Sequence, residues 1–206
     1  MTVTAPTGAR PRRGRPRHQQ SPRARAQVPT PVATVASATQ LTSVVEVDLT
    51  GVPVGAVLAT VATAFVRAAA AHPAVVRSRG VHLGVLAADG TTAAVVQDAD
   101  ELTDAALAAR IDAGQHDGVD RTLGVVDTGS RGVLVDTPAV GPDRTPVLGI
   151  GAVVRRPVVR PIDGGEAIVV RAMAHLSLSY DAQLLGGDIA ADFLSVVRDH
   201  IEEGTA

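Results

Sequence analysis

The chain has 206 residues, 46% of them apolar but only 1% aromatic, so a sizeable core has to be packed from Val, Ala, Leu and Ile. It contains no Cys, and all 19 of its basic residues are Arg. This excludes disulfides, thiolate catalysis, Cys-ligated zinc, Schiff-base chemistry, a Walker lysine and any lipoyl or biotinyl group carried on lysine. Charge is sharply divided: residues 1–45 hold seven Arg and no acid, whereas the rest holds 12 Arg against 21 acids, a formal −9.

In chain order, residues 1–37 are rich in Arg, Pro, Ala, Thr and Gln and show no apolar period. They are expected to be a disordered tail, followed by one domain over 38–206. Residues 40–49 alternate and are β-branched, which predicts a strand. Residues 54–71 are apolar all round and read as a buried helix closed by Pro73. Residues 81–86 and 92–97 read as strands around the turn Ala88-Asp89-Gly90. Residues 100–113 read as a helix whose acidic start, Asp100 and Glu101, suits the positive end of its dipole. Strands are expected at 123–127, 132–136, 147–154 and 167–180. The chain then closes with an amphipathic helix over 188–203, with Ile189, Phe193, Val197 and Ile201 on one face and Asp188 at its start. The pattern is mixed α+β.

No stretch reads as membrane-spanning: the most apolar, 54–71, is Ala-rich and carries Arg67. The N-terminus lacks the apolar run of a secretory signal, and its prolines (Pro11, Pro16, Pro22) break the helix a transit peptide needs, so a cytoplasmic location is expected. The six histidines (His18, His72, His82, His116, His175, His200) form no ligand-spaced cluster, so no metal site is expected. Gly149-Ile150-Gly151 lacks the third glycine and following helix of a dinucleotide fingerprint. Ser177 and Ser179 alternate with Leu176 and Leu178, as expected for one polar face of a half-buried strand.

Five blocks, in order, carry a family resemblance. Residues 174–181, Ala-His-Leu-Ser-Leu-Ser-Tyr-Asp, resemble the segment ending LSLSYDH in dihydrolipoamide acyltransferases, the acyltransferase domain of 2-oxoacid dehydrogenase complexes. Residues 184–194 look like the family's VIDGADAARFL, and 146–159 are similar to AILGIGKIEKRPVV. Residues 38–50 resemble its first strand, and 81–84 with 95–99 also fit. The resemblance implies a chloramphenicol-acetyltransferase-like mixed sheet with packed helices, a homotrimer, and coenzyme A or acyl-CoA as the bound cofactor, with no covalent lipoate on this Lys-free chain. It also implies 2-oxoacid dehydrogenase components or a biosynthetic acyl carrier as partners. In that family a His in His-x-x-x-Asp-Gly is the general base, and a Ser or Thr on the neighbouring subunit's FTIS strand serves the oxyanion.

At the matching positions this chain has Ala182 for His, Gln183 for Arg, Gly186 for Asp and Val126 for the hydroxyl residue; Asp181 and Gly187 are retained. Ala moves no proton and Val donates no hydrogen bond. The segment between Pro73 and Val81 is also short against the family. His175, seven residues before Ala182, lies about 23 Å of extended chain away, and His116 falls in a loop. The expectation is therefore a pseudoenzyme serving assembly or partner binding, with no catalytic residue. The alternatives are an acyltransferase working by proximity alone, or a binder of nucleic acid or another acidic partner through the Arg-rich tail.

Overall fold

The computed structural model describes residues 1–2, 39–76, 78–118 and 120–204, and every element belongs to the unit Val35–Ala206. The expected disordered tail thus lies, but for Met1 and Thr2, outside the described residues. The strands are β1 (Gln40–Asp48), β2 (Leu83–Leu86), β3 (Thr92–Val96), β4 (Leu123–Asp127), β5 (Val147–Ile150), β6 (Val154–Ile162) and β7 (Gly165–Asp181). The helices are α1 (Val57–Ala71, entered through a 3-10 turn), α2 (Pro73–Val76), α3 (Asp104–Asp112) and α4 (Gly187–Gly204).

Six strands form the path β1-β7-β5-β4-β2-β3, and β6 pairs with β7 off that path. The pairs β2–β4 and β4–β5 are parallel, and the others antiparallel. Side chains alternate across a strand, so one face of the sheet carries Val47, Leu123, Val125, Leu148, Leu176 and Leu178. All of these are fully buried in one cluster with Phe65 of α1 and Phe193 of α4. The other face carries Thr42, Val44, Glu46 and Asp48 of β1 and Met173, His175, Ser177 and Ser179 of β7, brought side by side by the register.

By length and composition the 18 residues Val54–Ala71 do reach membrane-spanning character, contrary to the sequence expectation. Their setting is that of a core helix: Val61, Ala62, Phe65, Val66 and Ala68 are fully buried against the rest of the domain.

Several local expectations need correction. The third helix begins at Asp104, not at residue 100, because Thr103 caps it by accepting the Ala106 N–H at 3.3 Å. Asp100 is drawn off instead to accept the Val81 N–H at 2.8 Å, while Arg67 takes the Asp100 carbonyl at 3.0 Å. Residues 132–136 form no strand: the Gly132 and Val133 N–H groups bond back to the Gly129 and Thr128 carbonyls, and the Val133 carbonyl accepts the Ala152 N–H at 2.7 Å, just past β5. The expected strand 147–154 is split. Between the pairs Ile150↔Leu176 and Val154↔Met173 its chain advances four residues while β7 advances three, a bulge at residues 151–153. Gly151 sits there because a Cβ would lie 2.0 Å from the Leu134 carbonyl oxygen. Residues past 154 continue as β6, which the sequence reading left out. In α4 the buried stripe is Ala190, Phe193, Leu194, Val197 and Ile201, while Ile189 is 39% exposed. Ser177 and Ser179 are fully buried, not half-exposed: Pro138 of the segment following β4 lies against Gly149 and covers the sheet at this point.

Candidate functional site

The end of β7 delivers Asp181 into a buried position where its carboxylate is held by the Arg144 guanidinium. The Gln183 N–H donates to Asp181 Oδ1 at 2.9 Å, and the Leu184 and Leu185 N–H groups donate to its carbonyl at 2.9 and 3.0 Å. These bonds reverse the chain from strand to helix. Arg144 also donates to Gln183 Oε1 at 2.9 Å and adopts a left-handed φ of 57°, set by the tight turn it closes with Gly141. Ala182 follows at once; its N–H donates to the Thr39 carbonyl at 2.9 Å, which ties the turn to the start of β1. Gly186 is exposed, and Gly187 opens α4 where a Cβ would meet the Tyr180 hydroxyl at 3.4 Å.

Val126, near the end of β4, is buried with Leu86 and Val147 in a small separate apolar cluster. A cavity of about 120 Å³ opens beside it, between the β2–β3 turn and Asp136, Pro138 and Ala139. Within one chain the structure does not bring Val126 and Ala182 together. Val126 is level with Gly149 and hence with Ser177 two strands away, and Ala182 lies five residues further on, so the separation is roughly 19 Å from strand spacing and rise.

His175 is likewise remote from Ala182. It faces Glu46, with Nε2 3.9 Å from Oε1, and Glu46 also pairs with Arg156. His116 is exposed in a loop beside Val95. Next to Glu46, Asp48 accepts from Arg160 at 2.7 Å and from the Thr50 N–H at 2.9 Å, with Arg171 at 3.7 Å. Burial opposes its ionisation, but the Thr50 bonds and the two guanidinium groups outweigh this and hold the carboxyl below the usual carboxylate range. A cavity of about 440 Å³ lies elsewhere, among α1, α3 and the end of α4, lined by Thr60, Thr63, Asp112 and His200.

Sequence reasoning missed Arg144, Gln40 and Arg121. Gln40 clips the covering segment to β1, donating to the Pro138 carbonyl at 3.1 Å and accepting the Val140 N–H at 3.0 Å. Arg121 donates to Asp143 at 2.9 Å, running through space that a side chain at Gly84 would fill. The only hint in the sequence was a glycine at 84 in an otherwise apolar strand.

A mixed sheet with its main helices on one face defines the chloramphenicol acetyltransferase-like fold, and a chloramphenicol acetyltransferase superposes with a TM-score of 0.50 at 16% identity, covering 81% of this chain and 86% of its own. A probable dihydrolipoamide acetyltransferase from Listeria monocytogenes superposes with a TM-score of 0.65 at 25% identity, covering 81% of this chain and 85% of its own. The model of the 2-oxoacid dehydrogenases acyltransferase (catalytic domain) family matches residues 54–206, and the chain belongs to that family. The acetyltransferase component of the pyruvate dehydrogenase complex of Corynebacterium glutamicum is 42% identical over 81 residues, 39% of this chain and 12% of that protein. The succinyltransferase component of the 2-oxoglutarate dehydrogenase complex of Haemophilus influenzae is 30% identical over 135 residues, 61% of this chain and 32% of that protein. The chain therefore spans a third or less of the length of these relatives.

Proposed function

We propose that this chain is a non-catalytic member of the acyltransferase family, retained for assembly with copies of itself and for partner binding within a 2-oxoacid dehydrogenase-type system. The observation that carries this reading is the pair of side chains at the reactive positions. A methyl group, Ala182, follows the buried Asp181, and an isopropyl group, Val126, packs against Leu86 and Val147. Acyl transfer from a thioester needs a base to take the thiol proton and a donor for the oxyanion, and neither group supplies either. The separation of the two positions within one chain fits a site built between neighbouring copies, as the proposed trimer requires. The turn that carries these positions is well formed: Arg144 holds Asp181, and the turn into α4 is closed by its hydrogen bonds. A well-formed fold without reactive groups at these positions favours a role for the surfaces of the fold.

General-base catalysis typically contributes about 10²–10⁴-fold and an oxyanion donor about 10²–10³-fold. Their joint loss leaves a deficit on the order of 10⁴–10⁷, less what non-additivity removes. The test is acetyl transfer between acetyl-CoA and dihydrolipoamide, run beside a coenzyme A binding measurement. Turnover indistinguishable from the uncatalysed blank is expected, with or without weak binding. Robust turnover by the unmodified chain would refute the reading and favour catalysis by positioning alone. Introducing Ala182→His, Gly186→Asp and Val126→Ser together shows whether a substrate channel survives: recovered transfer means that only the reactive groups were lost.

A further inference from the structure

Helices α3 and α4 both pack on α1 and leave a cleft of about 440 Å³ beside it. The apolar part of its lining is small: Ala59 and Ala64 of α1, Ala108 of α3 and Ile201 of α4. Polar groups stand around that surface. Thr60 and Thr63 lie three residues apart on one face of α1, and Asp104, Ala108 and Asp112 follow one another at four-residue intervals along one face of α3. The Thr60 and Thr63 hydroxyls, the Asp112 carboxylate and the His200 ring have no hydrogen-bond or ionic partner among the described residues. Arg67, the one arginine lining the cleft among the described residues, is fully engaged. Its Nε and Nη2 donate to Asp104 Oδ1 at 2.9 and 2.7 Å, its Nη1 donates to the Asp100 carbonyl at 3.0 Å, and Nη2 also serves the Leu102 carbonyl. Asp104 Oδ2 takes no part in these bonds.

This lining selects its ligand by charge and by length. An anion would meet two carboxylates and an arginine whose donors are already used. Ammonium groups satisfy both carboxylates with charge-assisted hydrogen bonds, and methylene groups between them cover the alanines. The acidic balance of residues 46–206, 12 Arg against 21 acids, draws cations to the domain as a whole. Asp104 and Asp112 are eight residues apart, about 12 Å along the axis of α3. We propose that the cleft is a binding site for a linear polyamine of the reach of spermidine. One terminal ammonium sits at Asp112 and the other at Asp104 Oδ2, and the inner nitrogen donates to the Thr60 and Thr63 hydroxyls. The cleft lies at the opposite end of α4 from Ala182, and the site does not rest on the proposed loss of catalysis.

Isothermal titration calorimetry of the full chain with spermidine and with putrescine, at one fixed ionic strength, tests it. Spermidine is expected to saturate a single site per chain with a dissociation constant of about 0.1–1 mM. Putrescine is too short to reach both carboxylates and is expected to bind at least about tenfold more weakly. Asp112→Asn removes one anchor, and Ala108→Leu fills the cleft without changing charge; each is expected to weaken spermidine at least about tenfold, with unchanged circular dichroism. Asp192→Asn, an exposed acid of α4 that does not line the cleft, is expected to leave the affinity within about twofold. Should Ala108→Leu misfold, the contrast between Asp112→Asn and Asp192→Asn carries the comparison. No saturable binding, equal affinity for the two amines, equal effects of the two asparagine variants, or undiminished binding by folded Ala108→Leu would each overturn the proposal, the last three marking a diffuse attraction of cations to an acidic surface.

Discussion

Replacing Phe193 by alanine removes one of only two phenylalanines in the chain. Both are fully buried, with ring centroids 5.7 Å apart and planes tilted by 55°, and the edge of His72 also meets Phe193 at 5.7 Å. The pair joins α1 to α4 in a core that, apart from Tyr180, is made of Val, Ala, Leu and Ile, whose short side chains cannot swing in to fill the space. A Phe→Ala change in a core that relaxes poorly costs about 3–5 kcal/mol, a large fraction of the roughly 5–15 kcal/mol that holds a domain folded. For a domain of this size that is a fall in Tm of about 6–20 °C. Urea unfolding of Phe193→Ala, Phe65→Ala and the double variant measures both the cost and the coupling. The tilted ring contact predicts a coupling of about 0.5–1.5 kcal/mol. A loss below about 1 kcal/mol for Phe193→Ala, or strictly additive single variants, would refute the view that two rings hold the helical layer together.

Other outcomes follow from the same contacts. Gly151→Ala sets a Cβ against the Leu134 carbonyl and is expected to cost about 3 kcal/mol or more in denaturant unfolding, since backbone must move. Asp48 has a depressed carboxyl pKa, so its contribution is fully present above its unfolded value near 3.9 and is lost as pH falls through the lower folded value. Asp48→Asn should therefore lower stability at neutral pH and flatten the acid side of the stability profile; an unchanged profile counts against the Arg160 and Thr50 contacts. Thr103→Ala removes the α3 cap and is expected to cost about 1 kcal/mol, read as a small shift in the unfolding midpoint.

The strands and helices that follow one dominant period were legible in the sequence. β1 shows alternation, α4 shows 3.6-residue spacing, and the β2–β3 turn has its glycine. The family's motif order made the fold legible as well. These are matters of residue identity and local spacing, which one chain read in order contains. What the tertiary structure decided is of another kind. Ser177 and Ser179 alternate like an exposed face, yet are buried because a segment some forty residues earlier folds over them. Residue 151 in the bulge at 151–153 has to be glycine because the Leu134 carbonyl comes so close to it. Arg144 is an ordinary loop arginine until the sheet sets it against Asp181, 37 residues away. Burial, bulges and ion pairs of this sort depend on which distant segment arrives at a given face, and local periodicity carries no term for that arrival.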